Sequence, residues 1–236
     1  MAITTKTPVH EIAVELPAAI PALESLGIDY CCNGKHTLAE ACTKRDLNVA
    51  RVLAELERLE RQNSDALETQ WENASTKDLT DYIVRKHHAF TRDQLALIRD
   101  LADRVERRHG ATHPEIFQVS EAFAAISTEL EEHFFCEESI LFPYIAQLGT
   151  NEQPASPPVF GSAQQPVTRI MIDHEHTGDE FRLLREITNN YLPPEDACTT
   201  FRTLYRALDD LEQDLHRHIH LENDILFPRA LAQANA

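Results

Sequence analysis

The stretch HFFCEESILFP at residues 133–143 returns as HIHLENDILFP at 218–228, with a histidine, a glutamate four places on and Ile-Leu-Phe-Pro at identical offsets. A polar pair and an apolar block repeated in one register mark a duplicated structural unit. In a helix, residues four apart lie one turn above each other, so His133 with Glu137 and His218 with Glu222 each present two metal-ligating groups on one face. A single His-x-x-x-Glu is more often a solvated surface pair contributing about 0.2–0.5 kcal/mol. The matched repeat gives these pairs their weight. The Ile-Leu-Phe-Pro blocks predict apolar packing below each pair and a stop to regular helix at the proline, which sets both pairs at one height.

Working outward, the helix preceding each repeat carries histidines of its own: His87 in VRKHHAF and His174 in MIDHEHTGDE. His87 precedes His133 by 46 residues and His174 precedes His218 by 44, so each half reads as a helical hairpin with His on its first helix and His-x-x-x-Glu on its second. His88 adjoins His87, His176 follows His174, and His216 and His220 flank His218. Adjacent helical residues point about 100° apart, so one member of each group faces the centre. The repeat fixes His218, whereas His87 or His88 and His174 or His176 stay open on spacing alone. Four histidines and two bridging glutamates inside a bundle make a two-metal site, and mixed imidazole and carboxylate ligation suits iron or manganese better than calcium, with iron the expected metal.

Only six glycines among 236 residues, and apolar positions at helical spacing almost throughout, predict an all-α protein. Four long helices are expected over about 78–110, 114–148, 165–190 and 194–232, with Gly110 as a left-handed cap and the Pro/Gly/Ser-rich stretch 149–166 joining the halves. The expected organisation is a small helical domain over 1–60, a polar linker over 61–77 and a four-helix bundle over 78–236. In the first part, Thr37 and Glu40 make a candidate capping box after the loop GIDYCCNGKH. A net charge of −17 argues against nucleic acid or an anionic membrane as partner. With no leader-like apolar segment and no run of about 18 apolar residues, the expected location is the cytoplasm. Five cysteines, two of them adjacent, fit thiols in a reducing compartment better than a disulfide scaffold.

Taken together, GIDYCCNGKHTLAEA, the two repeats and HEHTGDEFRLLREITNN resemble the di-iron iron-sulfur cluster repair proteins, which join a dicysteine N-terminal domain to a hemerythrin-like bundle. The resemblance covers nearly the whole chain. It implies His87, His133, His174 and His218 as iron-binding histidines, Glu137 and Glu222 as bridges, and two iron ions per chain with carboxylate and oxo bridging. It selects His87 over His88 and His174 over His176. It further implies that Glu129 and Asp173 belong to a polar route to the irons, and that Cys31 and Cys32, on an exposed loop, contact the client or accept its iron. Cys42, Cys136 and Cys198 read as structural. The implied function is repair of iron-sulfur clusters damaged by nitric oxide or oxidants, with damaged iron-sulfur proteins as partners and self-association of the N-terminal domain into a homodimer. Motifs do not choose between iron donation, NO removal and NO reduction. An oxygen or NO binding or sensing protein, and an NO reductase, are the alternatives.

Overall fold

The computed structural model describes residues 3–31, 34–63, 71, 74–148 and 163–234. Cys32, most of the expected linker and most of the connection between the halves lie outside them. Among the described residues there is no strand, only an isolated bridge between Pro8 and Thr37. Among the described residues the first part holds four α-helices, α1 (Val9–Glu15), α2 (Ile20–Ser25), α3 (Leu38–Lys44) and α4 (Val49–Asn63), with a 3-10 turn at Pro17–Ala19 before α2. Thr37 caps α3 as expected, its hydroxyl accepting from the Glu40 amide while the Glu40 carboxylate accepts from the Thr37 amide at 2.8 Å.

The bundle is built from α5 (Thr76–Ile83) running into α6 (Ala89–His109), α7 (Glu115–Cys136) into α8 (Phe142–Leu148), α9 (Gln164–Ile187), and α10 (Thr199–His220) into α11 (Phe227–Ala234). Three of these four rods carry a π-helical turn: Val84–His88, Glu137–Leu141 and Leu221–Leu226. The prolines therefore do not stop the helices, contrary to what the repeats suggested. Pro143 and Pro228 each lack an N–H for the carbonyl four residues back, and the ring crowds that carbonyl. The wider turn relieves this, with the Phe142 amide donating to the Glu137 carbonyl and the Phe227 amide to that of Glu222, five residues back in both cases.

Two further expectations are corrected. Gly110 is not left-handed, since its φ is −57°. It is needed for close approach: a Cβ there would stand 2.6 Å from the Glu106 carbonyl oxygen and 2.8 Å from the Phe117 ring. The third long helix ends at Ile187, and Asn189, Asn190 and Tyr191 follow with φ of 49°, 58° and 56°. Asparagine tolerates this region, but tyrosine does so at a cost. Tyr191 is held by its hydroxyl, which donates to Glu212 at 2.7 Å, while Arg185 donates to the same carboxylate.

α6 packs on α10 and α7, and α7 on α9. One apolar core, including Leu95, Ile98, Phe123, Phe134, Phe181 and Leu208, fills the end of the bundle beyond the π turns. A second, including Ile83, Phe142, Val167, Leu226 and Phe227, fills the other end around α5, α8 and α11. Along each rod the histidines and glutamates of interest fall between members of the two cores, so they form a polar layer inside an otherwise apolar bundle. The first part has a core of its own, joined by Ile219 of α10, and Arg217 pairs with Glu24 through two hydrogen bonds of 3.0 and 2.7 Å.

Candidate metal centre

The polar layer contains two groups of four buried ligands, His88, Glu137, His218 and Glu222 in one and His133, Glu137, His174 and Glu222 in the other. Within each group one ligand atom per residue lies within 4.8 Å of the others. Both glutamates are shared. Glu137 sets Oε2 3.4 Å from His88 Nε2 and Oε1 3.2 Å from His133 Nε2. Glu222 sets Oε1 2.8 Å from His218 Nε2 and Oε2 3.1 Å from His174 Nε2. Each carboxylate thus spans the two groups, with one oxygen toward each.

The helices produce this arrangement by simple means. His133 with Glu137 and His218 with Glu222 share a face through their four-residue spacing, and each glutamate lies at the start of a π turn, Glu137 as its first residue and Glu222 as its second. π turns insert an extra residue into a helix and commonly sit at functional positions. On the first rod the π turn ends with His88, and it is His88, not His87, that enters the centre. His87 turns to α10, where its Nδ1 lies 3.0 Å from Asp214, and its ring stacks behind His218 at 5.7 Å. His174, rather than His176, faces inward, and His176 meets Glu129 outside.

The residues present fit a pair of cations. His88 Nε2 faces His218 Nε2 at 3.2 Å, and His174 Nε2 faces His133 Nε2 at 3.1 Å. Two such nitrogens share at most one proton, and a cation between the two facing nitrogens of a pair satisfies both lone pairs. Both oxygens of Glu137 and Oε2 of Glu222 are buried without a hydrogen bond of good geometry. Such atoms cost free energy unless something pairs them. Outer partners orient the rings: His88 Nδ1 donates to Glu138 at 2.7 Å and His174 Nδ1 to the Asn223 side-chain oxygen at 3.0 Å. Holding the proton on Nδ1 leaves the Nε2 lone pair for a metal, which is the usual support for a ligating histidine. Phe134 stacks on His88 with ring centroids 4.1 Å apart and fixes the ring plane.

Charge compensation runs through the same contacts. Burial opposes a proton on His133, yet the Glu137 carboxylate, then Glu222 and Asp173, carry its pKa up to about 9. Burial likewise opposes charge on Glu137, but His133, His88 and His218 hold it well below the usual carboxylate range. His88 is raised against burial by Glu137, whereas burial lowers its facing partner His218, in keeping with one proton per pair. Glu222 is lowered by His218 and His174 in spite of burial and the Glu137 charge.

A cavity of about 720 Å³ opens between α7 and α9 and reaches His133. Glu129 and Asp173 both line it, together with the apolar side chains of Ile140, Leu141, Ile170 and Ile172. Asp173 is paired with Arg169 at 3.1 Å. The cysteines differ from expectation. Cys31 is only 6% exposed and packs in the N-terminal core, its amide donating to Asp29, so it does not stand on an exposed loop, while Cys32 lies outside the described residues. Cys42 is buried, but Cys136 and Cys198 reach the surface, which a purely structural role does not require.

Comparison with known proteins follows the same division. Residues 79–230 match the Hemerythrin HHE cation binding domain, and residues 5–60 match a Domain of Unknown function (DUF542). The chain is 38% identical over 222 residues to the iron-sulfur cluster repair protein YtfE of Pectobacterium atrosepticum, covering 94% of this chain and 95% of that protein. It is 36% identical over 226 residues to the iron-sulfur cluster repair protein YtfE of Escherichia coli O157:H7, covering 95% and 96%.

Proposed function

The chain belongs to the iron-sulfur cluster repair proteins built on a hemerythrin-like cation-binding domain, and from that premise we propose that it holds two irons and restores iron-sulfur clusters damaged by nitric oxide or oxidants. The observation that carries the reading is the double span of Glu137 and Glu222, each with one oxygen in either group of imidazoles. Four histidine nitrogens and two bridging carboxylates suit first-row metals such as iron. In this reading His88 and His218 would hold one iron and His133 and His174 the other, with Glu137 and Glu222 available to both. A bound iron pair would supply one-electron redox chemistry.

The chain's own groups do the rest. Glu138 and Asn223 keep the Nδ1 protons of His88 and His174 outward, so that Nε2 is free to bind. Phe134 and the two apolar cores keep water from the inner face of the centre. The cavity at His133 offers the way in, its apolar wall fitting an uncharged diatomic and its acids Glu129 and Asp173 fitting a cation. Damaged iron-sulfur proteins are the clients, and the cytoplasm is the place of action; no helix among the described residues is long and apolar enough to cross a membrane.

The same apolar wall favours one other reading, in which the protein binds or reduces NO without repairing a client. One experiment separates them: iron-loaded protein is incubated anaerobically with a nitrosylated iron-sulfur enzyme, with free iron and thiol controls. Recovery of client activity beyond both controls is expected. Gas uptake or nitrous oxide release without client recovery overturns the repair reading.

A further inference from the structure

With His88 in the centre, the two halves of the bundle share a second feature: His88 is followed three residues on by Thr91, and His174 three residues on by Thr177. Residues three apart share a helical face. His88, Thr91, Leu95 and Ile98 are all buried along the inward side of α6, so Thr91 belongs to the layer next to the ligands. A buried helical hydroxyl finds a partner in the carbonyl four residues back, as Thr177 does in Asp173 at 3.0 Å, Thr188 in Leu184 at 2.7 Å and Ser127 in Phe123 at 2.8 Å. For Thr91 that carbonyl belongs to His87, inside the π turn, and the bond is not made. Thr91 is 0% exposed, and its Oγ1 has no hydrogen-bond partner among the described residues. A hydroxyl so placed costs free energy until something pairs it.

The centre supplies the missing partner. Each group offers a cation four protein donors, two imidazole nitrogens and one oxygen from each glutamate. Iron(II) on mixed imidazole and carboxylate donors keeps positions for small ligands beyond those the protein provides. The cavity between α7 and α9 reaches His133, with Thr177 in its wall, but neither His88 nor His218 lines it. On that closed side Thr91 stands one turn from His88 with its hydroxyl uncommitted. We propose that Thr91 is a positioning residue for the closed half of the centre: its hydroxyl hydrogen-bonds the water that completes the coordination of the cation held by His88 and His218. That bond helps to retain the cation and makes the two halves of the centre unequal. The role rests on the di-iron reading given above.

The test compares the full-length, iron-loaded protein with Thr91→Val, which keeps the shape and removes the hydroxyl, and with Thr91→Ser, which keeps the hydroxyl. The unaltered protein is expected to show two iron environments by Mössbauer spectroscopy. Thr91→Val shifts one of them and leaves the other, and it releases iron to a chelator severalfold faster, as loss of a group supporting a metal site does. Thr91→Ser stays close to the unaltered protein in both readouts. In the metal-free proteins the sign reverses: Thr91→Val removes an unpaired buried hydroxyl and melts at a higher temperature than the unaltered chain, which a hydroxyl bonded within the fold would not allow. A lower melting temperature for metal-free Thr91→Val therefore overturns the role, as does Thr91→Ser behaving like Thr91→Val. Iron bound in full, with a spectrum and release rate that Thr91→Val leaves unchanged, overturns the role alone and leaves the di-iron reading standing. An unaltered protein without iron overturns that reading and the role together.

Discussion

His87 and His88 are neighbours in sequence with different surroundings: one donates to Asp214 on α10, the other faces Glu137 and His218 in the centre. Their order could not be read from helical periodicity, because the π turn over Val84–His88 breaks the 100° step on which such a reading depends. No proline announces that turn, unlike those at Pro143 and Pro228. The repeated pairs His133/Glu137 and His218/Glu222, by contrast, were legible directly, since each pair lies within one helical register. Substitution separates the two neighbours. His88→Ala is expected to lose at least one iron per chain with the fold retained. His87→Ala keeps its iron but leaves the nearly buried Asp214 carboxylate short of a partner, at a cost of about 1–3 kcal/mol. Iron content and thermal unfolding of both variants check this, and iron loss in His87→Ala with retention in His88→Ala reverses the assignment. Burial of Cys31 was equally hidden, because the polar loop that carries it gives no sign that the thiol turns into the core around Ile12, Leu23 and Leu38.

At the scale of elements, the four long helices were readable from spacing and punctuation, and the capping box at Thr37 from four residues. What spacing did not convey is how the chain passes its prolines. A proline inside a helix can kink it, end it or widen it, and only packing of Phe142 and Phe227 into the core beside α5 and α9 decides for widening. The π turns matter because Glu137 and Glu222 stand in their first two positions. Closing one into regular helix would turn the following residues by about 100° relative to the carboxylate. Pro228→Ala removes the steric cause of the wider turn and restores a helix former. The expected result is weaker iron retention with a melting temperature unchanged or raised, measured by chelator competition and calorimetry. Unchanged iron retention would mean that packing alone holds the turn open.

For the whole molecule, a polar layer between two apolar cores couples metal binding to stability and to pH. In the metal-free protein His133 has its pKa raised to about 9 from an unfolded value of about 6.5. A raised histidine stabilises the fold fully below the unfolded value, and that contribution is lost as pH rises through the folded one, so the metal-free protein loses stability between about pH 6.5 and 9. Metal binding requires the neutral imidazole and strengthens over the same interval. The rise in melting temperature on iron loading is therefore expected to grow from pH 6.5 to 9 and to shrink toward acid. A gain independent of pH would remove His133 from the ligands. The most direct test of the central claim is iron per polypeptide after anaerobic purification, comparing the unaltered chain with the Glu137→Ala, Glu222→Ala double variant. The account predicts about two irons per chain and their loss from the double variant. An unaltered protein that takes up no iron on reconstitution, or a double variant that keeps both, contradicts it.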